Sequence, residues 1–60
     1  MPKYEIVAEG PDEIYKRIPA KSMIQARLII KKKLGPGWSG YVEKTATGVI
    51  VGTFHNKKIA

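Results

Sequence analysis

The first twenty residues carry an apolar pattern of period two, which is typical of half-buried strands. Residues 3–9 alternate in this way, the turn sequence Gly10-Pro11-Asp12 follows, and residues 13–19 resume the pattern. Pro19 lacks an N–H group and suits the end or the edge of a sheet. The pattern therefore predicts a β-hairpin. Its first strand places Tyr4, Ile6 and Ala8 on one face, and its second strand places Ile14 and Ile18 in phase.

Apolar residues at helical spacing predict one helix over residues 23–34. Ser22 is a favourable N-cap residue, and Gln25 three positions later completes a capping box. Gly35 is expected to supply the left-handed residue after the helix, and Pro36 to prevent its continuation. At about 100° per residue, the face expected to contact a sheet carries Met23, Ala26, Ile29, Ile30 and Leu34.

Two more strands are predicted after the turn Gly35-Pro36-Gly37. Residues 38–45 predict a third strand, Gly48 in the following connection is expected to need a positive φ, and residues 49–55 predict a fourth strand. The polar tail, residues 56–60, is expected to fray. The sheet positions expected in the core are Ile6, Ile14, Ile18, Val42, Ile50 and Phe54. The opposite face would then carry Tyr15, Arg17, Tyr41, Val49, Val51 and His55, although a phase error of one residue would exchange the two faces.

The order ββαββ predicts one α+β domain over residues 1–60. We expect a four-stranded antiparallel sheet with one helix packed on one face. The sequence contains no cysteine, so the core has no disulfide to support it. The apolar stretch from Met23 to Ile30 is too short to span a bilayer, and the N-terminal residues show no signal pattern. These features predict a cytoplasmic protein.

Charge is unevenly distributed along the chain. Eleven Lys and Arg residues face five Asp and Glu residues, which gives a net charge of +6. No acid lies between Ile14 and Val42, a stretch that contains seven of the Lys and Arg residues. Such a positive field attracts polyanions: nucleic acid, anionic lipid or an acidic protein face. A lysine-rich surface that only aids solubility is the alternative explanation.

Two surfaces are candidates for binding. The outer face of the predicted helix carries Ile24 and Leu28, and exposed apolar residues inside a basic rim are typical of an interface. The cations expected beside them are Arg27, Lys31 and Lys32. The sheet face away from the helix carries Tyr15, Arg17 and Tyr41, which could stack bases. Burial of that sheet face against a second copy is the alternative.

No arrangement of residues predicts catalysis or metal binding. His55 is the only histidine, and no serine or cysteine arrangement suggests a nucleophile with a base. The pair Gly35 and Gly37 follows a helix instead of opening one, so it does not fit a phosphate loop. Trp38 is expected to cover the core instead of stacking on a base. We therefore expect no enzyme activity, no cofactor and no metal.

The order of elements resembles that of small phage-encoded proteins. A run from Ile18 to Arg27 leads from a strand into a capped helix, and a final hairpin contains Gly40–Glu43 and Gly48–Val51. Over residues 14–55 this order is similar to that of anti-CRISPR proteins that inhibit type I effector complexes. The first hairpin and the helix also look like the archaeal large-subunit ribosomal LX family. The phage resemblance implies a stoichiometric inhibitor that docks on a nucleoprotein complex, often where nucleic acid would pass.

These observations predict a small, basic, non-enzymatic module that binds nucleic acid or a nucleoprotein complex. A phage-type inhibitor of a host complex, located in the host cytoplasm, is one form of this hypothesis. The residues expected to make the contacts are Tyr15, Arg17, Arg27, Lys31, Lys32 and Tyr41. The alternative is a protein–protein module or a small homodimer that uses Ile24, Leu28 or the open sheet face, with its charge serving solubility.

Overall fold

The computed structural model describes residues 2–56, which form four strands, one short 3₁₀ turn and one helix. In chain order these are β1 (Tyr4–Glu9), the turn Pro11–Glu13, β2 (Tyr15–Ala20), α1 (Met23–Lys32), β3 (Ser39–Lys44) and β4 (Ile50–His55). The fold is α+β with the order ββαββ, as the sequence predicts.

The strands form one antiparallel sheet in the order β2-β1-β3-β4. β1 lies in the interior of the sheet, where Ile6 stands opposite Ile18 on one side and Val42 on the other. β4 pairs with β3 alone. The two edges are therefore β2 and β4, and Pro19 lies on an edge strand as predicted.

The core lies between α1 and one face of the sheet, with α1 packed mainly over β1 and β2. The buried apolar residues are Ile6, Ala8, Ala20, Ala26, Leu34 and Val42. The residues packed around them are Tyr4, Ile18, Met23, Ile29, Ile30, Trp38 and Phe54. The predicted core face of the helix is thus confirmed, because all five of its residues belong to these two groups.

The start of α1 follows the predicted capping box. The Ser22 hydroxyl oxygen accepts a hydrogen bond from the Gln25 N–H at 3.1 Å. The Gln25 side-chain oxygen accepts one from the Lys21 N–H at 2.5 Å, one residue before the N-cap. The first bond satisfies an N–H group that the helix itself leaves without a partner, as in the predicted capping box. The second differs from that box, in which the Gln25 side chain would reach the Ser22 N–H.

The end of α1 differs from the prediction. The helix ends two residues early, and Gly35 does not take a positive φ. The side-chain amide of Asn56 instead donates to the carbonyl oxygens of Ile30 at 3.1 Å and Leu34 at 3.0 Å, with a longer contact of 3.4 Å to Gly35. Asn56, the first residue of the tail expected to fray, thus makes hydrogen bonds to the end of α1. Residues 57–60 lie outside the described residues.

The connection between β1 and β2 also differs from the prediction. Asp12 and Glu13 have positive φ values of 63° and 60°, so the second strand begins at Tyr15 and not at residue 13. Ile14 falls in the connection and is 48% exposed, so its predicted core position is wrong. The Gly10 N–H donates to the Ile14 carbonyl at 2.6 Å and closes the turn.

An irregularity in β4 explains a second wrong core position. The β3–β4 register shifts between Val42 and Glu43, so β4 carries Val51 as one additional residue. Ile50 pairs with Glu43, which shares the sheet face away from α1, and it is 56% exposed. The sequence pattern places Val51 on that outer face, but Val51 instead lines a groove beside α1.

Two glycines mark close approaches within the fold. Gly40 in β3 has a φ of 155°, and a Cβ added there would collide with the Val7 carbonyl oxygen of β1. A Cβ added at Gly10 would lie 2.6 Å from the Trp38 ring. Trp38 packs against the core as predicted, and the Lys16 ammonium lies 5.5 Å from its ring centroid.

Candidate binding surface

A groove of about 620 Å³ separates α1 from β4 on the helix side of the sheet. The groove exists because α1 packs over the other half of the sheet, above β1 and β2. Its apolar lining includes Met23, Ile24, Leu28 and Ile30 from α1 and Val51 and Phe54 from β4. Such a concave apolar surface is typical of a binding site.

Two cations stand at this groove. Arg27 and Lys31 are four residues apart, so they lie one above the other on the same side of α1, and both line the groove. Lys32 is turned about 100° further around the helix and does not line the groove. The structure therefore brings together two of the three predicted helix cations.

The predicted apolar pair lies beside these cations. Ile24 is 74% exposed and Leu28 is 49% exposed, and both line the groove. Their spacing of four residues makes them neighbours on the helix surface. Because α1 contains no acidic residue, this apolar pair has only cationic charge on its own helix.

The remaining predicted residues lie on the opposite surface, which we call the open face of the sheet. Arg17 and Tyr41 both stand opposite Val7, whose neighbours in β1 point toward the core. The Arg17 guanidinium donates to the Glu5 carboxylate at 2.5 Å and lies 3.6 Å from that of Glu43. This hydrogen bond and the charge of Glu5 raise the pKa of Arg17 above its ordinary value. Arg17 is thus engaged within the sheet, although its side chain is 65% exposed.

The strands of the open face carry more carboxylates than cations, so they do not form a basic platform. Its strand residues include three carboxylates, those of Glu5, Glu9 and Glu43. By the same alternation Lys16 and Lys44 fall on the helix side. Among the residues of the four strands, Arg17 is therefore the single cation on the open face. The Tyr15 hydroxyl donates to Glu9 at 3.3 Å. Tyr15 and Tyr41 therefore stand among carboxylates, which repel phosphate.

The predicted contact residues are consequently divided between two surfaces, one whose strands carry three carboxylates and one beside α1, which carries cations and no acid. Tyr15, Arg17 and Tyr41 lie on the open face, whereas Ile24, Arg27, Leu28 and Lys31 surround the groove. The sequence did not indicate that Val51 and Phe54 would form the second wall. The β-branched, uncharged composition of β4 was the available signal, but its phase was ambiguous.

The described part of the chain offers no metal site. Within residues 2–56, no group of three or more His, Cys, Asp or Glu side chains could hold a metal ion. His55 is exposed on β4. Over the same residues, the single helix is too short and too polar to cross a bilayer.

Comparison with known proteins assigns no family. No family model matches the chain, no curated protein is significantly similar in sequence, and no solved structure is significantly similar in fold. The groove and the separation of charge across the sheet are therefore the features that indicate a function.

Proposed function

We propose that the protein is a non-enzymatic binding module whose partner is an acidic protein surface that docks at the groove between α1 and β4. The observation that carries the proposal is the exposed pair Ile24 and Leu28, which lines an apolar groove with Arg27 and Lys31 at its side. Apolar anchors supply affinity when they are desolvated, and the surrounding charges select the partner and its orientation.

Nucleic acid is the second candidate, and the cations of α1 support it. Arg27, Lys31 and Lys32 are all exposed, and among residues 2–56 none of the three forms an ion pair. Phosphate contacts need charge but do not need apolar anchors. Ile24 and Leu28 therefore favour a protein partner. Inhibition of a nucleoprotein complex is compatible with the proposal if the module docks on an acidic protein subunit of that complex.

A photo-crosslinking experiment tests the proposal with a closely matched control. Leu28 and Ile14 are exposed to nearly the same extent, 49% and 48%, but only Leu28 lines the groove. A photoreactive phenylalanine analogue at each position, introduced in cells of the source organism, should give a discrete protein adduct at position 28 and none at position 14. Equal labelling from both positions would contradict the proposal.

Charge reversal on α1 separates the two candidates. Lys31→Glu should reduce the adduct from position 28 by about tenfold, because it removes a cation at the groove and adds a repelling charge. Lys33→Glu makes the same change in net charge at an exposed position about 200° around the helix from Lys31. It should leave the adduct largely intact. An adduct that nuclease treatment removes would identify nucleic acid as the partner and replace the proposal.

A further inference from the structure

The helix side of the sheet is only half covered. An α-helix with its side chains is about 10–12 Å wide, and neighbouring strands lie about 4.8 Å apart. One helix therefore covers about two strands, and α1 covers β1 and β2. The groove lies beside α1 above β4, and its floor includes Val42 of β3, which is buried.

The walls and the floor of the groove are apolar and could pack against the apolar face of a second helix. Met23 and Ile30 stand on the α1 wall, Phe54 is half-buried on the sheet, and Val42 is buried in the floor. A Cβ added at Gly52 would meet no atom within 4 Å, so the floor is smooth and unobstructed at that point. Side chains of a second helix could pack on this floor and against α1 at the same time.

The charge at the groove indicates which charged residues should flank the apolar face of the bound molecule. Arg27 and Lys31 line the groove, and no Asp or Glu side chain among residues 2–56 does. A second copy of α1 would bring Arg27 and Lys31 against the same two cations, and like charges at an interface oppose binding. A helix that carries carboxylates beside its apolar face complements the groove.

We propose that the groove binds an amphipathic α-helix of the partner protein, with apolar residues at i, i+3, i+4 and i+7 and carboxylates flanking them. This inference rests on the proposed function and specifies the structure of the occupant. It makes the bound protein a two-helix layer on a four-stranded sheet, in which α1 and the partner helix lie side by side. Recognition then follows the helix-in-groove mode.

Three synthetic peptides test the inference by NMR titration of the isotope-labelled protein. The first carries leucine at i, i+3, i+4 and i+7 over about four turns, with glutamate on both flanks. The second replaces the glutamates with lysines. The third keeps the leucines and glutamates but places two prolines at its centre, which prevents a helix. The first peptide should shift the amide signals of Ile24, Leu28, Val51 and Phe54, and it should bind about tenfold more tightly than either control.

Variants of the protein check that the peptide occupies the groove. Lys31→Glu should weaken binding of the first peptide by about tenfold, whereas Lys33→Glu, on the far side of the helix, should change it by less than about twofold. Leu28→Glu should abolish the amide shifts, and Ile14→Glu should leave them unchanged. Thermal unfolding of each variant confirms that the substitutions at these exposed positions preserve the fold.

The possible outcomes distinguish the inference from the proposed function. If the proline peptide binds as well as the helical one, the occupant is an extended segment at the β4 edge and the inference is wrong. The inference is also wrong if the helical peptide shifts no groove amides at about 1 mM, or if sedimentation shows that the protein fills the groove by dimerising. A position-28 crosslink to another protein would uphold the proposed function in the first two cases.

Discussion

At the scale of single residues, Gly40 lies where β3 passes closest to β1. Its φ of 155° is one that side-chain-bearing residues rarely adopt, and its missing Cβ leaves space for the Val7 carbonyl oxygen. Gly52 lies on the neighbouring strand and on the same side of the sheet, yet a Cβ there would meet no atom within 4 Å. Two strand glycines thus have opposite structural requirements.

Alanine substitutions should reveal this difference. Gly40→Ala should lower the free energy of unfolding by more than about 1 kcal/mol, because β1 and β3 must separate and the backbone is strained. Gly52→Ala is the matched control and should leave it unchanged or raise it by up to about 1 kcal/mol, since it restricts the unfolded chain. Urea unfolding monitored by Trp38 fluorescence measures both values. Equal losses would contradict the close approach at Gly40.

At the scale of elements, the two ends of α1 differ in how far they could be predicted. The start depends on Ser22 and Gln25, which are three residues apart, so a local pattern was sufficient. The end depends on Asn56, which reaches Ile30 from 26 positions further along the chain. No local pattern indicates such a contact, and the sequence therefore assigned the end of the helix to Gly35.

Asn56→Asp tests the contact at the helix end. The introduced carboxylate cannot donate, and it faces carbonyl oxygens at the negative end of the helix dipole, so unfolding free energy should fall by about 1–3 kcal/mol at neutral pH. The same surroundings raise the folded-state pKa of the introduced carboxyl above about 3.9. Its protonated form is therefore favoured in the fold, and the loss should be small below that pH and grow as pH rises through the raised pKa.

The control for this prediction removes the donors without adding charge. Asn56→Ala should be destabilised to a similar extent at acidic and neutral pH, when each is compared with the wild-type protein by urea unfolding. A loss in Asn56→Asp that does not diminish in acid would show that the side chain does not face the helix carbonyls.

Strand pairing set a second limit on prediction from sequence. The alternation of Tyr4, Ile6 and Ala8 was sufficient to orient β1, because only one of its faces is apolar. Both faces of β4 are apolar, so the alternation of apolar and polar residues does not show which face is buried. The additional residue Val51 places Ile50 on the open face, and this alternation gives no sign of it. The partners of Arg17 depend on the register of three strands, which no local pattern provides.

At the scale of the whole molecule, the sheet divides the charge of the chain. The net charge of +6 describes neither surface, because carboxylates collect on the open face and α1 carries cations and no acid. Composition predicted attraction to polyanions but could not assign it to one side. The strand register decides which side each charged residue takes.

Residual binding of duplex DNA should therefore use the helix side of the sheet, including the cations of α1, and not the tyrosines of the open face. The slope of log K against log salt is negative, and Arg27→Gln and Lys32→Gln should each reduce its magnitude by about 0.9 for each phosphate that the variant no longer neutralises. Tyr15→Ala and Tyr41→Ala should leave affinity and slope unchanged, because these residues lie among carboxylates. Fluorescence anisotropy between about 50 and 200 mM salt measures the slopes. A large effect of either tyrosine would instead support base stacking on the open face.

The interior position of β1 has a consequence for folding during synthesis on the ribosome. Among the described elements β1 is synthesised first, β2 and α1 can join it as they appear, and β3 and then β4 extend the sheet on the other side. Asn56 follows all of them, and only its arrival gives the last helix carbonyls their partner. The strand order thus allows the described elements to pair in the order in which they are synthesised.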